Sequence, residues 1–319
     1  MMGIGDLTFS AVQAIAGLAL LYFGGEWLIR GASALAVRLG LPAMAVGLTV
    51  VAFGTSMPEL VVSLDAALSG ANDISVGNVV GSNIANIALI LGVAALLRPV
   101  AARVKMIYLD APLMIAASLA LVFVLADGRA SRIEGGLLLA GLFAYVAYTM
   151  WQARRQPGLL RTSRATESAL RLSLGRSLLL SAAGAGLLVA GGHLLVVAAI
   201  ELATLLGMSQ ATIGLTVVAV GTSLPELATS VIASLRRLGD IAIGNAVGSN
   251  IFNVLGIFGV TAIVTPLRLG AVGWFDIATM VALACIMTVF LYTRRRLDRV
   301  EGGFLFASFV LYTTWRLAG

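Results

Sequence analysis

The chain has 319 residues, 60% of them apolar and only 11% charged, with a mean hydropathy of +1.01. That composition excludes a water-soluble globular protein and identifies an integral membrane protein whose surface meets a lipid bilayer. The 21 Lys and Arg against 15 Asp and Glu then report membrane topology, not nucleic-acid binding.

The first apolar stretch, 11 to 29, follows a start without a basic region and continues past the length of a signal-peptide core, so it reads as a retained span. Nine more follow at 41 to 68, 74 to 97, 106 to 126, 135 to 151, 177 to 205, 211 to 235, 241 to 264, 274 to 293 and 302 to 318. Strand-type alternation is absent, and about 20 residues suffice to cross the hydrocarbon, so all ten are predicted helices. One extended polar connection, Gln152 to Arg176, carries six arginines against the single acid Glu167. It separates residues 1–152 and 177–319, five spans each, with 153–176 as a basic linker.

Assigning the connections to alternate sides places 17 of the 21 basic residues on one side and leaves Arg129, Arg132, Arg268 and Arg316 on the other. Lys and Arg are retained in cytoplasmic loops. The linker is therefore expected inside and both termini on the non-cytoplasmic side.

Residues 47 to 92 align without gaps on 214 to 259, with 27 identities in 46 positions at a shift of 167. GLTVVAFGTSMPEL from Gly47 recurs as GLTVVAVGTSLPEL from Gly214, and GNVVGSNIAN from Gly77 as GNAVGSNIFN from Gly244. Five spans separate the copies, and an odd number turns the second upside down relative to the first. Ser69 and Gly70 of the first copy's turn become Arg236 and Arg237 in the second, as a switch of sides requires. The predicted fold is an all-α polytopic membrane protein of ten helices in two inverted five-helix repeats, an arrangement common among secondary transporters.

Each copy carries a glutamate in mid-membrane, Glu59 and Glu226, directly after Pro58 and Pro225. A charge there costs roughly 2.5 to 3.5 kcal/mol on insertion scales, so a matched pair needs a function. Proline lacks an N–H and clashes with the carbonyl four residues earlier, which predicts a broken helix in each copy and freed carbonyls near Ala52 and Ala219. Thr55 and Glu59, like Thr222 and Glu226, are four apart and are expected on one helical face, with Ser56 and Ser223 beside them. In the following span Ser82 and Asn86 match Ser249 and Asn253. Asn78, Asn83, Asn245 and Asn250 either join the polar centre or cap and cross-link helices. The inventory is all oxygen: soft metals would want Cys or clustered His, and the chain has one of each. Hard cations, Ca²⁺ with its six to eight ligands or Na⁺, fit it.

The paired Gly-Thr-Ser-x-Pro-Glu and Gly-Asn-x-x-Gly-Ser-Asn-x-x-Asn motifs resemble the α-repeats of the cation/Ca²⁺ exchanger superfamily. The likeness is close over 47 to 92 and 214 to 259, and the Na⁺/Ca²⁺ branch is the nearer one, because the proton/Ca²⁺ branch typically has Gly-Asn-x-x-Glu in the first motif. The resemblance implies that Glu59, Glu226, Thr55 and Thr222 bind Ca²⁺, and that Na⁺ also uses Ser82, Ser249 and the carbonyls of Ala52 and Ala219. It implies supporting roles for Ser56 and Ser223, a prokaryotic plasma (inner) membrane, and Na⁺ and Ca²⁺ as the partners. No cofactor and no protein partner are expected. Some exchangers of this fold have Asp at the place of Asn253; here Asn86 and Asn253 leave two formal charges at the centre.

The alternatives are a H⁺/Ca²⁺ or other divalent antiporter, a passive cation channel, and an intramembrane hydrolase with Ser56 or Ser223 as nucleophile. A channel has no need of a broken helix in each half, and a hydrolase would have one histidine, His193, for two identical serine motifs. His193 aligns with Glu26 at the same shift, and both are expected at helix ends or contacts. Asp65, opposite Ile232, is expected in an outer vestibule, and Trp27, Trp151, Trp274 and Trp315 at the membrane interfaces.

Overall fold

The computed structural model describes residues 4–38, 43–155, 172–205, 219–270 and 272–318. Helix α1 (Ile4–Arg38) runs well beyond the expected 11 to 29. Next come α2 (Gly47–Thr55) and α3 (Met57–Leu68), which form one span bent by 51°. The first half continues with α4 (Asn72–Leu97), α5 (Met106–Val124) and α6 (Arg132–Arg154). The second half holds α7 (Leu174–Leu205), α8 (Ala219–Thr222), α9 (Leu224–Leu235), α10 (Gly239–Val264), α11 (Trp274–Arg294) and α12 (Arg299–Ala318).

Among the described residues seven helices are each long and apolar enough to cross a membrane, and the bent pair α2–α3 makes an eighth. The seventh expected span is described only as α8 and α9, its start at 211 to 218 lying outside the described residues, as does most of the basic linker. The tenth expected stretch is helical as α12, a 20-residue helix that includes Arg299, Glu301 and Arg316 and is not among those seven.

The sequence reading missed two pairs of two-residue strands. Val100–Ala101 (β1) pairs antiparallel with Arg296–Leu297 (β4), and Arg129–Ala130 (β2) with Leu267–Arg268 (β3). Each pair joins a connection of the first half to one of the second. Arg103 pairs with Asp240, and Arg38 donates to Leu172 O. Every one of these ties links connections that the charge bias assigns to one face. The end of α4 therefore lies at the start of α10, where Gly239 packs on Ala101, and the start of α4 at the end of α10, where Gly270 packs on Asp73. The two equivalent helices run antiparallel.

Small residues let these helices touch backbone to backbone. Along α1 and α7, Gly17 faces Gly191, Gly24 faces Gly184 and Gly31 faces Ser181. Gly17 and Gly24 are the 167-shift counterparts of Gly184 and Gly191, so each copy's glycines pack on the other's. The same exchange recurs further along. Gly92 of α4 packs on Gly302 of α12, and the counterparts Gly259 of α10 and Gly135 of α6 pack on each other. The halves are interleaved.

Buried Ile, Val, Leu and Ala surround α4 and α10, whereas Phe123, Ile133, Val300 and Leu311 are exposed on the rim, as lipid contact allows. The four tryptophans are all exposed. Trp315 stacks on Phe275 with centroids 4.2 Å apart, and Arg155 sits 3.9 Å above Trp151.

Candidate functional site

The proline break occurs where the sequence places it, with one adjustment. Ser56 and Ser223 separate the two helical pieces in each copy, so Thr55 ends α2 while Glu59 belongs to α3, and likewise Thr222 and Glu226 fall on α8 and α9. The pairs do not share one continuous helical face as expected; they stand on either side of a bend. Pro58 and Pro225 sit at the start of their helices, where a missing N–H removes no helical bond. Glu59 and Glu226 are thereby in the first turns, and the partial positive charge of a helix N-terminus offsets part of the cost of each carboxylate.

The expected freeing of carbonyls takes a different form in the two copies. Ala52 O still accepts the Ser56 N–H at 3.0 Å, with the Thr55 hydroxyl 3.3 Å away, so at most one of its lone pairs is left for other groups. In the second copy the Ser223 N–H turns to Val220 O at 3.1 Å, one residue past Ala219.

The two breaks meet in the middle of the fold, and their side chains are exchanged. Ser56 donates to Glu226 Oε1 at 2.8 Å, and Ser223 donates to Glu59 Oε1 at 3.1 Å. Ser223 and Ser82 hydroxyls stand 3.2 Å apart. Thus each carboxylate is held by the serine of the opposite copy. The Thr55 and Ser249 hydroxyls also lie near the Glu226 carboxylate, Ser249 Oγ without a hydrogen bond of ordinary geometry.

Four further buried carboxamides bond to one another across the two repeats. Asn86 donates to Asn250 Oδ1 at 3.0 Å, and Asn253 donates to Asn83 Oδ1 at 3.1 Å. The same symmetry carries on to Asn83 with Met280 Sδ and Asn250 with Met114 Sδ, each at 3.4 Å. Two seven-residue wide turns of π type, Ala85–Leu91 and Phe252–Phe258, carry Asn86 and Asn253. Such turns interrupt the regular helix ladder and recur at functional sites; the sequence reading missed them, since no Pro or polar run marks them.

All the predicted site side chains described here are shielded, Thr222 at 7% being the most exposed. Five buried oxygens of the predicted site residues have no hydrogen-bond partner: Glu59 Oε2, Glu226 Oε2, Asn86 Oδ1, Asn253 Oδ1 and Ser249 Oγ. An unpartnered buried acceptor costs about 1 to 3 kcal/mol and a charged one more. A cation converts that cost into coordination. Among the described residues no group of three or more His, Cys, Asp or Glu assembles anywhere, so the centre consists of two carboxylates and neutral oxygens, a hard-ion set.

Residues given secondary roles also find places. Glu26 is buried and paired with Arg236, with Arg30 at 3.3 Å, so it is a helix-contact residue away from the centre. His193 and Asp65 are exposed. Asn78 and Asn245, whose role the sequence leaves open, bond to the site itself: Asn245 Oδ1 accepts the Thr55 hydroxyl at 3.2 Å, and Asn78 Oδ1 that of Thr222 at 3.3 Å.

The chain is 38% identical over 309 residues to the putative antiporter CaxA of Alkalimonas amylolytica, covering 95% of this chain and 97% of that one. It is 34% identical to the sodium/calcium exchanger MaX1 of Methanosarcina acetivorans, with 96% and 98% covered. The solved structure of the sodium-calcium exchanger NCX_Mj superposes with a TM-score of 0.83 at 28% identity, over 98% of this chain and 99% of that one. The family model described as sodium/calcium exchanger protein matches residues 9–151 and 176–318, and the chain belongs to that family.

Proposed function

We propose that the chain is a secondary antiporter that exchanges Na⁺ for Ca²⁺ by alternating access. At the coarser level, family membership makes it a membrane cation/Ca²⁺ antiporter and not an enzyme. The observation that carries the finer reading is the crossed pair Ser56–Glu226 and Ser223–Glu59, which leaves one oxygen of each carboxylate unpartnered between the two breaks. Two opposed carboxylates supply the charge that a dehydrated Ca²⁺ needs.

When Ca²⁺ leaves, positive charge must return. Thr55, Thr222, Ser82 and Ser249 supply neutral oxygens in both halves, and Asn86 and Asn253 add buried carboxamide oxygens without a hydrogen-bond partner. These groups hold Na⁺ but cannot take up a proton, which favours Na⁺ over H⁺. Because each half contributes an equivalent element running the opposite way, a rearrangement that opens one side has a mirror that opens the other.

The test is ⁴⁵Ca²⁺ uptake by proteoliposomes under imposed Na⁺, K⁺ or H⁺ gradients, one at a time. A Na⁺ gradient alone is expected to drive uptake. Uptake driven by a pH gradient in the absence of Na⁺, with no response to Na⁺, replaces the reading with H⁺/Ca²⁺ exchange. Flux indifferent to every counter-ion gradient makes the protein a channel.

Ser82→Ala and Ser249→Ala are expected to raise the Na⁺ concentration for half-maximal exchange several-fold while changing equilibrium Ca²⁺ binding little. Those hydroxyls belong to the Na⁺ sites on this reading. Equal losses in both measurements would assign them to Ca²⁺ instead.

The basic linker is assigned to the cytoplasm of a prokaryotic plasma membrane, with both termini opposite, because 17 of the 21 basic residues then lie inside. The ties between same-side connections support the alternation. A reporter active only in the cytoplasm, fused after Gly319, is expected to be silent. An active one overturns the orientation.

A further inference from the structure

We propose that Asn78 and Asn245 are positioning residues for the ion ligands of the opposite repeat: each carboxamide oxygen takes the proton of the other copy's threonine hydroxyl and turns that hydroxyl's lone pairs toward the cation. The inference rests on the cation-site reading of Glu59, Glu226, Thr55 and Thr222.

The orientation of each amide is dictated by its neighbours. Asn78 Nδ2 lies 3.0 Å from Glu59 O and 2.9 Å from Ser63 Oγ. A main-chain carbonyl can only accept, so the nitrogen must face it and Oδ1 is left for Thr222 at 3.3 Å. Asn245 repeats this with Glu226 O at 3.4 Å, Ser230 Oγ at 3.0 Å and Thr55 at 3.2 Å. Both side chains are buried, at 5% and 0% exposure. A single buried amide thus grips the backbone of its own copy's glutamate and the hydroxyl of the other copy's threonine.

The chemistry follows from how a hydroxyl works as a ligand. Its oxygen offers lone pairs to a cation only while its proton is directed elsewhere. Thr55 has other choices within reach for its single proton: Val51 O at 3.1 Å and Ala52 O at 3.3 Å, the back-bonds of an ordinary helical threonine, and the Glu226 carboxylate beside it. The amide of Asn245 competes with those acceptors across the repeat boundary. Without it, the proton goes to one of them and the lone pairs rotate with it. Because the amide is neutral, it directs the ligand without adding charge to the pair of carboxylates.

The experiment is a double-mutant cycle on purified full-length protein, read by equilibrium ⁴⁵Ca²⁺ binding and thermal stability, so that it needs no counter-ion. Asn78→Ala and Thr222→Val are each expected to weaken Ca²⁺ binding about tenfold, the scale of one misdirected hydrogen-bonding ligand. Their combination is expected to be no weaker than Thr222→Val alone. Asn245→Ala with Thr55→Val should behave alike. Should Asn78→Ala fail to fold, Asn78→Ser keeps a donor for Glu59 O yet falls short of Thr222 and serves in the same cycle. Losses that add in the double variant, or alanine variants that lose stability while binding Ca²⁺ like the wild type, overturn the inference and leave these amides as helix cross-links. Wild-type protein that binds no Ca²⁺ overturns the cation-site reading, and the inference falls with it.

Discussion

Glu59→Gln and Glu226→Gln are each expected to abolish Ca²⁺ transport while leaving folded protein in the membrane. Glutamine preserves shape and can still accept the crossed serine bond, from Ser223 at residue 59 and from Ser56 at residue 226, so the substitution removes charge and little else. Even a monovalent pair 4 Å apart is worth about 4 kcal/mol at an effective dielectric of 20, a factor of roughly 1000 in affinity. A divalent ion in direct contact loses more. Folding should not suffer, because each buried carboxylate also carries a desolvation cost of several kcal/mol that the amide avoids. The two variants should be equally inactive, since the site is built from one half of each copy. Proteoliposome ⁴⁵Ca²⁺ flux decides the matter: near-normal uptake in either variant removes that glutamate from the site.

Much of this site was legible in the sequence because its signals are chemical and repeated. A proline before a glutamate in an apolar run announces both a break and a buried charge, and its recurrence at a shift of 167 ties the two together. Spacing along one chain does not say which copy's serine meets which copy's glutamate. The crossing of Ser56 to Glu226 arises only once antiparallel helices bring the two breaks face to face. For the same reason Asn78 and Asn245 read from sequence as helix cross-links as readily as site residues, since their decisive contacts are 144 and 190 residues away. The wide turns at Ala85–Leu91 and Phe252–Phe258 follow from packing, which no local residue pattern encodes. Helix ends were misjudged at α1 because the apolar pattern stops before the hydrogen-bonded ladder does: Leu28, Ile29, Ala32 and Leu35 stay buried while Arg30 and Arg38 flank them.

Gly184→Val is expected to unfold or misassemble the protein, and Gly184→Ala to destabilise it clearly, although Gly184 packs on α1 and not on the candidate site. A β-carbon at 184 would stand 2.4 Å from Leu28 N and 2.8 Å from Gly24 O. Both neighbours are backbone, which cannot rotate aside as a side chain does, so α1 and α7 must separate along their whole seam. Overpacking a close contact typically costs 1 to 3 kcal/mol, and here the loss spreads to the Gly17–Gly191 and Gly31–Ser181 contacts. Gly186, two residues on in α7, has nothing within 4 Å of an added β-carbon. Gly186→Ala should therefore be as stable as the wild type, or slightly more so, since alanine is the better helix former by about 1 kcal/mol. Melting of the two alanine variants in detergent, beside their ⁴⁵Ca²⁺ flux, separates backbone contact from the mere loss of a glycine. If Gly184→Ala melts with the wild type, the two long helices do not depend on backbone contact at this point, and the seam inferred from the matched glycines of α1 and α7 is wrong.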